Sequence, residues 1–207
     1  MKVNEIFFSI EGEGKRSGQL AAFVRLTGCN LRCAYCDTKY AFSEGHEITA
    51  DEIADAVKDY RNVTLTGGEP LLQDCHEILT LLRSHEVNIE TNGSISLAEY
   101  LNYANVFFTM DFKCHSSDAT AAMNHDNLKI LREKDVLKFV VGDERDLKQA
   151  QEICTKFRPK SLIYISPIFG KIELLQIVDF MKQRHIENWR LQVQLHKIIW
   201  SPDERGV

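Results

Sequence analysis

Seven short apolar segments alternate along the chain with segments of helical periodicity, and this alternation restricts the folds open to it. The apolar segments are rich in β-branched and aromatic residues, as expected of strands covered on both faces. Strand–helix alternation predicts parallel strands joined by right-handed crossovers. We therefore expect an α/β fold in which about six parallel strands curl into a partial βα barrel. The predicted strands are 20–28, 62–66, 87–91, 106–110, 136–141, 161–166 and 189–195.

The segments between the strands carry recognisable helix starts and apolar faces. Thr49 to Glu52 and Ser96 to Glu99 both have the capping-box pattern. Pro70 suits the first turn of a helix. Apolar residues at helical spacing predict the helix after Pro70 and two further helices. Their apolar residues are Leu71, Cys75, Ile78 and Leu82 in the first, Leu147, Ala150, Cys154 and Phe157 in the second, and Ile172, Leu175 and Val178 in the third.

Composition narrows the class of protein. Of the 207 residues, 44% are hydrophobic and 27% charged, and no repeat or linker divides them, so we expect a single domain over 1–207. The net charge of −5 does not favour a nucleic-acid partner. No apolar run has the length of a membrane span or the form of a signal peptide. We therefore expect a cytoplasmic protein with reduced thiols and no membrane partner.

Three of the six cysteines lie within eight residues, in a C-x3-C-x2-C pattern. A structural zinc site needs four ligands, and a fourth could come from His46, Asp37 or a distant cysteine. A four-iron cluster normally takes four thiolates, so three would leave one iron open to a small molecule. The spacing favours the cluster, and we do not expect Cys114 to fill the open position. Cys75 and Cys154 lie on apolar helix faces and are interpreted as core residues. The clustered cysteines are Cys29, Cys33 and Cys36.

Polar residues follow several predicted strands at the point where each strand ends. In folds with parallel strands, the chemistry gathers beyond the carboxyl ends of the strands. We therefore expect these residues to share one site. They are 29–38, 66–69, 90–92, Asp111, Lys113, Ser166, Gln194 and His196.

Two motifs resemble those of the radical S-adenosyl-L-methionine (SAM) superfamily. The three-cysteine pattern resembles its cluster motif, and "LTGGEPLLQ" at 65–73 resembles its Gly-Gly-Glu-Pro motif, which meets the amino group of SAM. The resemblance implies a partial barrel of the radical SAM type and a [4Fe–4S] cluster whose fourth iron is chelated by SAM. It also implies one-electron cleavage of SAM to methionine and a 5′-deoxyadenosyl radical. Glu69 would offer its carboxylate to the SAM ammonium group, and Gly67 and Gly68 would permit close backbone approach to the ligand.

Longer segments resemble the 7-carboxy-7-deazaguanine synthase (QueE) family, over essentially the whole chain. That family consists of lyases of queuosine and 7-deazapurine biosynthesis, which convert 6-carboxy-5,6,7,8-tetrahydropterin to 7-carboxy-7-deazaguanine with loss of ammonia and require Mg²⁺. The resemblance implies a homodimer and a reductant such as flavodoxin or ferredoxin. The segments are "FFSIEGEGKRSGQLAAFVRLTGCN", "CDTKY", "ETNG", "DFKCHSS" and "QVQLHKIIWSPDERGV".

Two other functions remain open at this point. A glycyl-radical-enzyme activating protein of the same superfamily would share the C-x3-C-x2-C motif but would modify a partner protein. A zinc-binding module without enzymatic activity would use the same cysteines. The "SIEGEG" and "HKIIWSPDERGV" segments favour the synthase.

The resemblance assigns roles to matching positions, with no catalytic residue beyond the cluster and the SAM radical. Arg25 is a lone charge in an apolar strand and suits the substrate carboxylate. Thr38 would give its side-chain oxygen to Mg²⁺, a hard ion that takes oxygen ligands. Two positions depart from the family pattern: Glu11, where many relatives have Gln, and His115, where Pro is expected. The implied cofactor-binding residues are Cys29, Cys33, Tyr35, Cys36, Asp37, Gly68, Glu69, Asp111, Phe112 and Lys113. The implied substrate-binding residues are Ile10, Glu11, Gly12, Arg25 and Thr66.

Overall fold

Nine strands form one sheet that is open at both ends in the part of the chain that the structure describes. The structure is a computed structural model, which describes residues 1–202 and 204–207. The strands are β1 (Lys2–Ile10), β2 (Leu20–Leu26), β3 (His46–Glu47), β4 (Asn62–Gly67), β5 (Glu86–Thr91), β6 (Val106–Phe112), β7 (Val136–Val141), β8 (Leu162–Pro167) and β9 (Trp189–Leu191). Their order across the sheet is β3-β1-β2-β4-β5-β6-β7-β8-β9. Neighbours from β2 to β9 pair in parallel, whereas β1 pairs antiparallel with β2 and with β3.

The expected α/β fold with a partial barrel is confirmed. The seven predicted strands correspond to β2 and to β4 through β9, so the parallel part has seven strands instead of about six. Residues of β2 and of β8 line one cavity, which requires the sheet to curl without closing. The sequence pattern does not predict β1 or β3. The reason is that β1 mixes charged and apolar residues without strict alternation, and β3 has only two residues.

Alternating side chains divide the parallel strands into two different faces. The outward face is apolar and includes Leu65, Ile89 and Phe108, which are fully buried against the helices. The inward face carries polar side chains at alternate positions, such as Thr64 and Asn88. The helices are α1 (Ala50–Val57), α2 (His76–Leu81), α3 (Asn127–Ile130), α4 (Glu144–Phe157), α5 (Leu174–Gln183) and α6 (His196–Ile199). Among the described residues, no helix has the length and apolar character needed to cross a membrane.

The helices predicted from the Thr49 capping box and from the apolar face at 147–157 are confirmed as α1 and α4. The third predicted face is only partly right, because Ile172 precedes α5 and Leu175 is exposed, while Ile177 and Phe180 are the residues that α5 buries. The capping box of α1 is present, with Thr49 Oγ1 accepting from Glu52 N at 3.2 Å and Glu52 Oε2 accepting from Thr49 N at 2.9 Å. The helix expected after Pro70 is instead a single 3-10 turn, Pro70–Leu72, followed by α2. The helix expected after Ser96 is wrong. The Ser96 side chain accepts a hydrogen bond from Ala98 N at 3.3 Å, and a single 3-10 turn follows in place of a helix.

The loop between β1 and β2 fills one end of the barrel interior. Arg16 donates to the carbonyl oxygens of Glu86 at 2.8 Å and Val63 at 3.2 Å, at the amino ends of β5 and β4. Lys15 donates to the carbonyl oxygen of Lys134 at 2.8 Å, just before β7 begins. Because this loop occupies the amino ends of the strands, the free space inside the barrel lies at their carboxyl ends.

Candidate functional site

A cavity of about 300 Å³ lies at the carboxyl ends of the parallel strands. Its walls come from the loop after β2, from the ends of β4 through β8, and from the carboxyl-terminal segment. The expected shared site is therefore present as one space. The residues expected from sequence that line it are Ile10, Gly12, Arg25, Cys29, Leu31, Cys33, Tyr35, Cys36, Asp37, Thr38, Thr66, Gly67, Gly68, Glu90, Thr91, Asn92, Asp111, Lys113, Gln194 and His196. Ser166, also expected here, is buried and is not one of the described residues of the lining.

The loop after β2 presents its three cysteines to this cavity as free, partly exposed thiols. A tight turn joins the last two, since Cys36 N donates to Cys33 O at 3.1 Å. A backbone bond from Ala34 N to Ser117 O, at 3.1 Å, ties the loop to the segment after β6. Burial raises the pKa of the Cys33 thiol, and the nearby Lys113 ammonium opposes this shift.

The donor set fits a cluster. Three thiols from one loop face one cavity. Iron–sulfur clusters are bound by cysteine thiolates, which are soft ligands, so this donor set suits such a cluster. Within the described ranges, no three His, Cys, Asp or Glu side chains converge on a point as the ligands of a single ion would. In a four-iron cluster each thiolate binds a different iron, so such convergence is not required.

Gly67 and Gly68 permit a close approach between two loops. A Cβ on Gly68 would lie 2.1 Å from the carbonyl oxygen of Gly28, and one on Gly67 would lie 2.1 Å from that of Leu26. The loops are joined by bonds from Gly68 N to Leu26 O at 3.2 Å and from Glu69 N to Gly28 O at 2.8 Å. We expect these glycines to let the backbone approach a ligand. In the structure, they let it approach the end of β2 and the start of the cysteine loop.

Glu69 is completely buried beneath the cavity and is not one of the described residues that line it. Its carboxylate accepts from Leu71 N at 3.1 Å, Thr91 Oγ1 at 2.9 Å and Asn92 N at 2.6 Å. Burial raises the pKa of Glu69 to about 7, against these hydrogen bonds. The expected contact between this carboxylate and an ammonium group stays a prediction. Within the chain, these hydrogen bonds join the loop after β4 to the end of β5.

The last residues of β6 and Lys113, which follows the strand, show the alternation of a strand. Asp111 and Lys113 line the cavity, with Lys113 Nζ donating to Asp111 Oδ2 at 2.9 Å. Phe112 lies between them and points the opposite way, into the core. Its ring centroid is 5.5 Å from that of Phe139 and 5.9 Å from that of His125. Successive residues of a strand face opposite sides, so the Phe112 side chain does not line the cavity. The expected place of this segment beside SAM stays a prediction, in which Phe112 would take part through its backbone.

Glu11 does not reach the cavity lining in the described part of the chain. It is buried and forms an ion pair with Arg16 at 2.6 Å, and it also accepts a hydrogen bond from Thr64 Oγ1. The expected substrate contact through this side chain is corrected, since the carboxylate compensates a buried guanidinium instead. Its neighbour Gly12 is packed by His196: a Cβ on Gly12 would lie 2.1 Å from His196 Nδ1.

Arg25 and Thr66 lie on the cavity wall as expected. The Arg25 Nε donates to Glu5 Oε1 at 2.7 Å, and its guanidinium carbon is 5.3 Å from the Phe7 ring centroid. Thr66 Oγ1 donates to Glu90 Oε2 at 2.7 Å. Burial raises the pKa of Glu90 to about 7, although Lys138 acts to lower it.

Two charged residues of this wall, Glu13 and Lys138, are not predicted from the sequence, whereas Glu90 belongs to the expected range 90–92. Lys138 Nζ donates to Glu13 Oε2 at 3.1 Å. It also lies 3.1 Å from Asp111 Oδ1, in an ion pair whose angle is outside that of a hydrogen bond. A signal was available, because Lys138 is a lone charge within "VLKFVV", as Arg25 is within "AFVRLTG". For Glu13 no local signal separates it from other loop acids.

The carboxyl-terminal segment lies across the mouth of the cavity. Pro202 and residues 204–207 belong to the lining, whereas Asp203 of "SPDERGV" lies outside the described residues. The guanidinium carbon of Arg205 is 3.6 Å from the Tyr40 ring centroid. Lys197 Nζ donates to Asp37 Oδ2 at 3.3 Å. Thr38 Oγ1 is 3.8 Å from Cys36 Sγ, so the Asp–Thr pair that follows the cysteines is at this mouth too.

Other proteins resemble this chain in sequence and in fold. Residues 23–163 match the Radical SAM superfamily. The chain is 50% identical to the 7-carboxy-7-deazaguanine synthase of Clostridium acetobutylicum, over 100% of this chain and 99% of that protein. It is 37% identical to the synthase of the same name from Thermoplasma acidophilum, over the full length of both. The crystal structure of QueE from Escherichia coli has the same fold, with a TM-score of 0.77, 24% identity and 93% coverage of each chain. The chain therefore belongs to the radical SAM superfamily and, within it, to the 7-carboxy-7-deazaguanine synthase family.

Proposed function

We propose that this protein converts 6-carboxy-5,6,7,8-tetrahydropterin to 7-carboxy-7-deazaguanine with loss of ammonia. The observation that carries the proposal is the joining of the three-thiol loop and the polar inner wall of the sheet at one cavity. Relatives of full length that bear the synthase name support it. The two alternatives, an activating protein for a glycyl-radical enzyme and a zinc module, have no comparable support.

The proposed cofactor side of the cavity is the side of the cysteine loop. Cys29, Cys33 and Cys36 would hold a [4Fe–4S] cluster, which when bound with SAM supplies an electron for cleavage to a 5′-deoxyadenosyl radical. Asp37 and Lys113 lie on this side and offer charges of opposite sign to the zwitterionic amino acid part of SAM. Tyr35 Oη is buried, has no partner among the described residues, and has its pKa raised by burial. Gly68 and Asp111 complete this proposed set.

The proposed substrate side lies along β2 and the end of β4. Arg25 would bind the substrate carboxylate through its free donors, because a guanidinium pairs well with a carboxylate in two-point geometry. Ile10, Gly12 and Thr66 would surround the pterin ring. Thr38 would give one oxygen to Mg²⁺, whose remaining oxygen ligands would come from substrate and water.

Further parts of the proposal concern the whole protein. We propose one domain over 1–207, a homodimer, a cytoplasmic location, and flavodoxin or ferredoxin as the source of electrons. The partly exposed cysteine loop supports delivery of an electron from outside, since the cofactor side is not covered by a thick protein layer.

Turnover with a defined substrate tests the proposed function. Anaerobically reconstituted protein is incubated with SAM, dithionite, Mg²⁺ and 6-carboxytetrahydropterin. We expect 7-carboxy-7-deazaguanine and ammonia by mass spectrometry and enzymatic assay, with more product than SAM consumed because SAM is regenerated. Cys33→Ala should abolish both cluster binding and product, whereas Cys154→Ala, in α4, should retain both. Absence of the deazapurine from a protein that holds a full cluster and binds SAM would refute the proposal.

A further inference from the structure

Lys138 is a buried cation at the meeting point of three chain segments. Its side chain is 9% exposed, and its Nζ contacts Glu13 Oε2 from the β1–β2 loop and Asp111 Oδ1 from β6, both at 3.1 Å. Glu90 on β5 adds a third carboxylate to its surroundings. Burial alone would lower the pKa of Lys138, but these three acids outweigh it and hold the pKa well above its usual value. Lys138 is therefore charged in the folded protein.

The two contacts of Lys138 belong to the two sides of the cavity proposed above for the cofactor and for the substrate. Asp111 is held on its other oxygen by Lys113, at 2.9 Å, next to the cysteine loop. Glu13 adjoins Gly12, on the side proposed for the substrate. Its second oxygen, Oε1, is buried, lies in a residue of the cavity lining, and has no hydrogen-bond partner among the described residues. A buried acceptor of this kind needs a donor, which a bound molecule can provide.

Removal of the ammonium would leave like charges in one buried space. Glu13, Glu90 and Asp111 would then lie close together, with Lys113 still paired to Asp111. Buried carboxylates in such proximity repel, and one must either take up a proton or turn away. Either response would change the direction of the Glu13 and Asp111 oxygens. The orientations of the Glu13 and Asp111 carboxylates thus depend on each other through the Lys138 ammonium group.

We propose that Lys138 is a positioning residue that couples the substrate side of the cavity to the SAM side. By holding one oxygen of Glu13, it directs the free oxygen toward a donor of the substrate. By holding Asp111, it fixes the carboxylate that orders Lys113 beside the cysteine loop. The inference rests on the proposed function for the identity of the two ligands, whereas the geometry that links the two sides does not.

Binding measurements on the anaerobically reconstituted protein test this role. The dissociation constants of SAM and of 6-carboxytetrahydropterin are measured by calorimetry, each with and without the other. In Lys138→Met we expect weaker SAM binding and pterin binding reduced by about tenfold or more. We also expect the ratio between the two pterin constants to fall toward one, because the link between the sides is lost. Lys138→Arg keeps the charge and should retain most of the coupling, and Lys129→Met, on the surface of α3, is the matched control.

A double-mutant cycle separates positioning from general loss of structure. Glu13→Gln should also lower the coupling, and the combination with Lys138→Met should add little, since both act through one contact. If Lys138→Met alone fails to fold, this double variant has one buried acid less and provides the same comparison against Glu13→Gln. Unchanged SAM and pterin constants in Lys138→Met would overturn the inference while leaving the proposed function intact. A wild-type protein that binds SAM but not the pterin would refute the proposed function, and weaker SAM binding in Lys138→Met would then still support positioning of Asp111.

Discussion

At the residue scale, Glu90 links the chemistry of the cavity to the stability of the fold. Burial raises its pKa from 4.5 to about 7, with Glu11 and Glu13 reinforcing the shift and Lys138 opposing it. The folded protein therefore holds a proton on Glu90 at pH values where the unfolded chain has released it. The stability that this group contributes is complete below about pH 4.5 and is lost as the pH rises through about 7.

Substitution of Glu90 by Gln should weaken this pH dependence. Gln cannot ionise, so the free energy of unfolding should fall less steeply between pH 5 and pH 8 than in the wild type, by on the order of 2 kcal/mol over the range. Thermal denaturation of the anaerobic protein at pH 5, 6, 7 and 8 measures the difference. Glu99→Gln, at an exposed position, should leave the slope unchanged. A Glu90→Gln variant with the same slope as the wild type would contradict the assignment of the shift to Glu90.

At the scale of elements, the loop after β4 and the cysteine loop are built as one unit. Their backbones are so close at Gly68 that a single methyl group would meet Gly28 O at 2.1 Å, and a carbonyl oxygen of a hydrogen-bonded loop cannot move aside easily. Gly68→Ala should therefore displace the cysteine loop and destabilise the protein by about 1–3 kcal/mol, the usual cost of overpacking. The measurements are the melting temperature and the iron content after reconstitution, and both should fall.

A control for Gly68→Ala is available at an open glycine. Gly170 has a positive φ of 72°, but no heavy atom lies within 4 Å of the place that a Cβ would take, so Gly170→Ala carries backbone strain without a clash. We expect it to lower the melting temperature modestly while iron content stays complete. If Gly68→Ala also retained its full iron content, the two loops would be more independent than their contacts imply.

The alternation of strands and helices was sufficient to predict which elements form, because both periods are local properties of the chain. It predicts β2 and β4 through β9, and it places the cysteines beyond the end of β2 and Asp111 near the end of β6. Which side chain reaches the cavity is decided by contacts distant in sequence. Glu69 is buried beneath the cavity wall, where it accepts hydrogen bonds from Thr91 and Asn92. Glu11 pairs with Arg16, whose other hydrogen-bond partners lie on β4 and β5. No local spacing specifies those pairings.

At the scale of the whole molecule, the two ends of the barrel are closed by different means. The amino ends of the strands are filled by the loop containing Arg16, whose guanidinium forms hydrogen bonds to buried groups and is 4% exposed. The carboxyl ends are covered by residues 204–207, whose Arg205 contacts Tyr40 and lies 3.3 Å from a half-exposed Glu44. Exposed ion pairs contribute little free energy, so this second closure is the weaker one. Under the proposed function, it is also the closure that the substrate would pass.

Deletion of residues 204–207 should open the mouth of the cavity without disturbing the sheet. The cluster would then be more accessible to oxygen, so its absorbance should bleach several-fold faster in air, and the pterin should bind more weakly because less of its surface is buried. Visible absorbance and calorimetry measure the two effects, and the melting temperature of the cluster-loaded protein should change little because the deleted residues cover the mouth and form no part of the core. Arg61→Ala, which breaks an exposed ion pair with Glu86 at the opposite end of the barrel, provides the comparison. Equal bleaching rates in the deletion variant, in Arg61→Ala and in the wild type would show that the carboxyl-terminal segment does not shield the site, and the covering role would then have to be assigned to the cysteine loop itself.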